Sequence, residues 1–118
     1  MPAYLAVLIT AASAEEGQRI ARALVEAGLA ACVNLVSSVR SIYAWQGQIH
    51  DDQEVLLIAK TKAHLLERLA AQVKQLHSYE VPEIIALPIV AGSGEYLRWL
   101  DAQTGTPLPA ADVATANH

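Results

Sequence analysis

The chain has 118 residues, of which 53% are hydrophobic and 17% charged, and this length favours one domain with its own core. The formal net charge is -4 and the eight Lys and Arg residues are scattered, which argues against nucleic-acid binding. No stretch of 18 apolar residues is present and the first residues lack the pattern of a signal peptide, so we predict no membrane insertion.

The first predicted elements are a strand and a helix. Residues 4–10 form a short continuous apolar run, which is typical of a central β-strand. Ser13 and Glu16 have the spacing of a capping box, in which the two residues satisfy free amides at a helix N-terminus. The following helix places Ile20 and Leu24 on one stripe, and Gly28 is predicted to end it in the left-handed conformation.

A long hairpin and a second helix come next. Residues 30–45 are rich in strand-forming residues, with a bend or bulge expected at Ser37 and Ser38. Gln46, Gly47 and Gln48 predict a turn, and residues 51–52 interrupt the pattern before a returning strand over 54–59. Thr61 is a candidate N-cap for a helix whose apolar residues recur from 66 to 77 with a period of 3.6.

A last strand is predicted over 83–87 after Pro82, followed by a short helix from Gly94. We assign residues 1–104 to one domain and 105–118 to a flexible C-terminal tail. The order β-α-β-β-α-β predicts a ferredoxin-like α+β fold, an antiparallel sheet with two helices on one face and an extra C-terminal helix. Because the strands are apolar on both faces, we expect a partner subunit to cover the helix-free face.

Several motifs in this order resemble the CutA divalent-cation tolerance family, over Tyr4 to Gln103. They are Leu29–Asn34, Tyr43–Ile49, Glu54, Lys60 with Thr61, His77–Glu83 and Tyr96–Leu100. The resemblance implies a homotrimer of ferredoxin-like subunits, similar in architecture to the PII signalling proteins. It also implies a part in tolerance of divalent metals, copper in particular, without an agreed biochemical activity. Copper or another divalent metal is therefore the candidate cofactor, although no residue pattern requires one.

Cys32 and His77 are the candidate metal ligands, because a soft thiolate suits Cu(I) and imidazole suits copper and zinc. The alternatives are a small buried hydrophobe for Cys32 and an interfacial histidine at a helix C-terminus for His77. Some members of the family carry a second cysteine where this chain has Ile9, so a thiol-rich copper site is poorer here. A single chain offers no converging set of three or four ligands, and any metal would bind weakly between subunits.

The second candidate site is a ligand cleft between subunits. The family's motif positions assign six residues to it: Tyr43, Trp45, Glu54, Lys60, Tyr79 and Glu83. Lys60 with Glu54 or Glu83 would orient an anionic or zwitterionic ligand. The alternative is a structural cluster of ion pairs and hydrogen bonds that locks the trimer, because buried charges must be paired.

Two functions remain, and neither is enzymatic. Cys32 lies in an apolar strand rather than an electropositive setting, and residues 92–94 lack the spacing of a phosphate-binding loop. One hypothesis is a trimeric protein that binds copper or another divalent ion weakly at intersubunit sites. The other is a PII-like sensor or scaffold that binds a small molecule or a partner's segment in the cleft. A single cysteine fits a reducing compartment, and we expect a cytoplasmic protein.

Overall fold

The computed structural model describes residues 3–108. The elements in chain order are β1 (Tyr4–Ala11), α1 (Ala14–Glu26), β2 (Cys32–Trp45), β3 (Gln48–Lys62), a 3-10 turn (Ala63–Leu65) continuing into α2 (Leu66–Leu76), β4 (Ile84–Pro88) and α3 (Gly94–Ala102). The strands form one sheet in the order β2-β3-β1-β4, and every neighbouring pair is antiparallel. The predicted ferredoxin-like α+β fold is therefore confirmed.

The hydrophobic core lies between one face of the sheet and helices α1 and α2. Val7 and Ile9 of β1 are fully buried there, together with Ile20 and Leu24 of α1 and Leu69 of α2. Side chains alternate along a strand, so the residues between Leu5, Val7 and Ile9 point to the opposite face. Both helices thus cover the same side of the sheet.

The opposite side of the sheet, here called the open face, carries exposed apolar side chains. The register places Leu8 beside Ile58 and Ile85, and Ala6 beside Leu87. Ile85 and Leu87 are 52% and 51% exposed. An apolar strand face of this kind is unusual for a surface in contact with water.

Strand β3 is longer than predicted, and the β2–β3 hairpin extends beyond the other two strands. The expected bulge is present, because the register shifts between Val36 and Val39 and Ser38 has φ 63°. The predicted interruption at Asp51 and Asp52 is wrong, since β3 runs without a break from Gln48 to Lys62. Both aspartates are exposed and bind side chains of β2. Their charge therefore does not interrupt the strand.

Two local predictions have different outcomes. Gly28 ends α1 with φ 69°, and a Cβ atom there would lie 2.3 Å from the backbone oxygen of Thr106, so only glycine fits. Thr61 is not a helix N-cap: it is a fully buried residue of β3 whose hydroxyl donates to the Leu29 carbonyl at 2.7 Å. The hydroxyl joins the sheet to the loop after α1.

Helix α3 is fixed to the end of β3 by Lys62, whose Nζ donates to the carbonyls of Asp101 and Thr104 at 3.2 and 3.3 Å. The chain then returns to α1, where Gly105 donates to the Gly28 carbonyl and Leu108 to the Glu26 carbonyl. The flexible tail predicted for 105–118 begins within this segment, and its residues 109–118 lie outside the described residues. No helix within residues 3–108 is long and apolar enough to cross a membrane.

Candidate functional site

A cleft of about 690 Å³ lies between the outer half of the hairpin and the segment that follows α2. We call it the hairpin–loop cleft. Its lining residues come from β1, β2, β3 and the loop before β4: Thr10, Ser41, Ile42, Tyr43, Trp45, Glu54, Tyr79, Glu80, Val81, Pro82 and Glu83. Five of the six residues predicted for a ligand cleft are among them.

The hairpin wall is held by side-chain contacts across β2 and β3. The Tyr43 hydroxyl donates to Asp52 Oδ2 at 2.6 Å, and its ring stacks on His50 with centroids 5.2 Å apart. Arg40 binds Asp51 through two hydrogen bonds of 2.8 and 2.6 Å. Residues 50–52 therefore all contact side chains of β2.

The loop wall is held by His77, whose side chain is fully buried at the end of α2. Its Nε2 lies 2.6 Å from the Thr10 carbonyl oxygen, and its Nδ1 accepts the Tyr79 backbone amide at 3.0 Å. A carbonyl only accepts and an amide only donates, so the ring must be neutral with its proton on Nε2. The imidazole thus joins β1 to the segment that lines the cleft.

Glu16 reinforces the same loop from α1. The capping prediction is confirmed for Ser13, whose hydroxyl accepts the Glu16 amide at 3.1 Å. The Glu16 carboxylate accepts the amide of Ala12 at 3.0 Å through Oε1 and that of Ser78 at 2.7 Å through Oε2. Burial raises the pKa of Glu16, but the hydrogen bonds from Ala12 and Ser78 outweigh it and lower this pKa overall. One carboxylate therefore joins α1 to the loop after α2.

The floor of the cleft is acidic. The Tyr79 hydroxyl donates to Glu54 Oε2 at 2.6 Å, and burial together with this bond raises the pKa of Tyr79 strongly. Burial and the charge of Glu54 raise the pKa of Glu83. The lining contains three glutamates and no lysine or arginine. The arrangement can orient a ligand between aromatic walls, and it offers that ligand negative charge.

The comparisons with known proteins decide the family. The model of the CutA1 divalent ion tolerance protein family matches residues 5–103. This chain belongs to that CutA1 family. It is 56% identical over 99 residues to the divalent-cation tolerance protein CutA of Thermus thermophilus, which covers 84% of this chain and 96% of the relative.

A solved structure of the divalent cation tolerance protein from Thermus thermophilus has a TM-score of 0.85 at 54% identity, covering 86% of this chain and 99% of that chain. The chloroplastic protein CutA of Arabidopsis thaliana is 46% identical over 100 residues. That match covers 85% of this chain and 55% of the length of the Arabidopsis protein. The CutA1 family is thus supported by both sequence and fold.

The name of the CutA1 family implies a relation to metals. The two predicted metal ligands, Cys32 and His77, are nevertheless far apart within one subunit. Cys32 lies level with Ala6 of β1, because both residues pair with Lys60 of β3. His77 lies near the other end of β1, where it binds the carbonyl of Thr10. Four residues along β1 correspond to about 13 Å. Both ring nitrogens of His77 already make hydrogen bonds, so a metal would have to displace one of them. The predicted ligands therefore do not fit one metal ion within a subunit.

The setting of Cys32 is also known from the structure. The thiol is hydrogen-bonded to the hydroxyl of Tyr96 in α3. Burial and the neighbouring Cys32 thiol raise the pKa of Tyr96. Residues 3–108 contain no group of three or more His, Cys, Asp or Glu side chains that could hold a metal ion. Copper binding through Cys32 and His77 stays a prediction, and it requires ligands from a second subunit.

Lys60 is the predicted cleft residue that the structure does not bring to the cleft. It lies on the open face six residues along β3 from Glu54, a separation of about 20 Å. Within one subunit it cannot orient a ligand beside Glu54 or Glu83. Only a lysine from a neighbouring subunit could meet that part of the prediction.

The sequence prediction missed Glu16 as a support of the loop. It also missed six lining residues: Thr10, Ser41, Ile42, Glu80, Val81 and Pro82. Ser41 lies two residues before Tyr43 on β2 and thus on the same face of the strand, so the period of the strand indicated it. Nothing local to Glu16 indicates the bond to Ser78, which is 62 residues away in the chain. That contact depends on how α1 and α2 pack.

Proposed function

We propose that this CutA1-family chain acts in divalent-cation tolerance as a PII-like sensor or scaffold and not as an enzyme. In this role the hairpin–loop cleft binds a small molecule or a segment of a partner protein. The observation that carries the proposal is the cleft itself, with Tyr43 and Trp45 41% and 45% exposed on its wall. Exposed aromatic side chains give a large contact area at a small entropic cost, which bare metal ions do not need.

The functional unit we propose is a homotrimer. The open face exposes Ile85, Leu87 and Val36, and the outer edges of β2 and β4 lack a neighbouring strand among the described residues. Contact with other copies of the chain would bury those apolar side chains and pair those strand edges, both of which favour aggregation when they are exposed. The length of the hairpin, 14 and 15 residues per strand, lets it reach beyond its own subunit.

A second candidate is weak binding of copper or another divalent metal at intersubunit sites, with Cys32 and His77 as ligands. One observation favours it: Cys32 pairs with Lys60 on the open face, which a neighbouring subunit would cover. A second subunit could then add donors that one subunit lacks. The neutral His77 ring would have to give up its bond with Tyr79 or Thr10, which is why we rank this candidate lower.

We also propose a cytoplasmic location, because the chain has a single cysteine and that cysteine is free. Fractionation of cells that express the chain at its natural level tests this directly. Recovery with a periplasmic or organelle marker would contradict it.

Complementation distinguishes the two functions. A strain that lacks its own CutA1-family protein is transformed with the wild-type chain, Tyr43→Ala or Cys32→Ala, and its growth is measured against copper concentration. We expect Tyr43→Ala to lose tolerance and Cys32→Ala to keep it. The reverse result would favour the metal site. Sedimentation of each purified variant verifies that its oligomeric state is that of the wild type.

A further inference from the structure

We infer that the hairpin–loop cleft selects an organic cation, a small aliphatic compound with ammonium or guanidinium groups. This inference rests on the proposed ligand-binding role of the cleft and adds the chemical class of the ligand. The volume of about 690 Å³ lies in the range usual for small-molecule sites. Two features point to this class of ligand: the aromatic side chains of the cleft and carboxylates that have no cationic partner.

The aromatic walls favour a cation. The ring face of Tyr or Trp carries negative partial charge, and an ammonium or guanidinium group placed over it is attracted. Tyr43 is held in place by its bond to Asp52 and by stacking on His50, so little order is lost when a ligand binds. Trp45 follows two residues later on β2, and thus on the same face of the strand.

The carboxylates add a net negative charge that the cleft does not neutralise. Glu54 is buried, and the group that binds it is the neutral hydroxyl of Tyr79, not a cation. Glu80 and Glu83 also line the cleft, and the remaining lining residues carry no positive side chain. A buried carboxylate without a cationic partner is unfavourable, and a ligand cation would supply that partner.

The same features disfavour the anionic ligand predicted from the sequence. That prediction required Lys60 beside Glu54 or Glu83, and Lys60 lies about 20 Å away along β3. A bare divalent ion would use the carboxylates but not the aromatic rings, and it would fill little of the cleft. An organic cation uses both.

Calorimetric titration of the full chain tests the inference with four probes: 1,4-diaminobutane, arginine amide, 1,4-butanediol and succinate. We expect the two cations to bind at least about tenfold more tightly than the neutral diol or the dianion, because both rings and carboxylates contribute. Glu83→Gln should weaken cation binding about fivefold, as expected for one partly exposed ion pair. Glu67→Gln, which removes an exposed carboxylate in the first turn of α2, should leave it unchanged.

Three outcomes would overturn the inference. If succinate or the diol binds as tightly as the cations, the cleft binds ligands but does not select cations, and the proposed function stands alone. If no probe binds while Tyr43→Ala still abolishes tolerance, the ligand belongs to another class. If the cations bind only to Lys60→Met, a neighbouring subunit's own lysine occupies the cleft.

Discussion

Replacing Glu16 with Gln should destabilise the protein and release the loop that forms one wall of the hairpin–loop cleft. In the wild type the carboxylate accepts backbone amides from Ala12 and Ser78, at 3.0 and 2.7 Å. Gln keeps the size of the side chain but replaces one accepting oxygen with an amide group that donates. One of the two backbone amides then faces another donor.

The magnitude follows from those two bonds. A hydrogen bond to a charged group contributes about 1.5–3 kcal/mol, and a buried donor left without an acceptor costs about 1–3 kcal/mol. Gln still accepts one of the two amides with its carbonyl oxygen. The lost hydrogen bond and the unpaired donor therefore concern the same backbone amide, and the two contributions partly overlap. We expect a loss of about 2–4 kcal/mol in the free energy of unfolding at pH 7.

The loss should depend on pH in a defined direction. The hydrogen bonds from Ala12 and Ser78 outweigh burial and lower the pKa of Glu16 below its ordinary value of 4.5. A carboxyl whose folded-state pKa is depressed contributes stability above its unfolded pKa and loses it as the pH falls through the folded value. The difference between wild type and Glu16→Gln should therefore be full at pH 7 and shrink below pH 4.5.

Urea unfolding at a fixed protein concentration measures both effects. Glu15→Gln is the matched control, because Glu15 is the exposed neighbour in the same first turn and loses the same charge. It should change the unfolding free energy by no more than about 1 kcal/mol, the limit for an exposed charge at a helix end. Equal losses in the two variants, or a Glu16→Gln loss that persists unchanged at pH 3, would show that the ionised Glu16 carboxylate does not stabilise the fold through these two bonds.

Three further predictions follow from the fold. Sedimentation equilibrium should give the mass of three chains, and a monomer mass at micromolar concentration would contradict the proposed trimer. Ser38→Gly should raise the free energy of unfolding by up to about 1 kcal/mol in the same urea assay, because φ 63° strains any residue with a Cβ atom; a lower value would show that the Ser38 side chain is needed at the bulge. Thr61→Val should lose about 1–3 kcal/mol through the missing bond to Leu29, whereas Thr61→Ser should keep most of it; equal losses would mean that packing, not the hydroxyl, matters.

The fold could be predicted from the sequence because its signals are local and agree with one another. The apolar run over β1, the period of 3.6 in α2 and the glycine after α1 each define one element. Their order then leaves few topologies. The bulge at Ser38 was also predictable, since two serines interrupt a run of strand-forming residues.

The length of β3 was not predictable, because Asp51 and Asp52 are poor strand residues on their own. They are tolerated because Arg40 and Tyr43 bind them from β2, and such cross-strand pairs appear only once the register is known. The candidate site shows the same limit. The aromatic and acidic residues of the cleft were recognisable, whereas the bond from the Ser78 amide to Glu16 depends on how α1 and α2 pack. The distance of Lys60 from Glu54 follows from their separation by six residues on one strand.

We propose that the hairpin–loop cleft, and not a metal cluster within a subunit, carries the function of this chain. Titration of the untagged protein with Cu(I) in competition with a chelator of known affinity tests it most directly. We expect the chelator to retain the copper and Cys32→Ala to behave like the wild type. One tightly held copper ion per subunit, lost in Cys32→Ala, would contradict it.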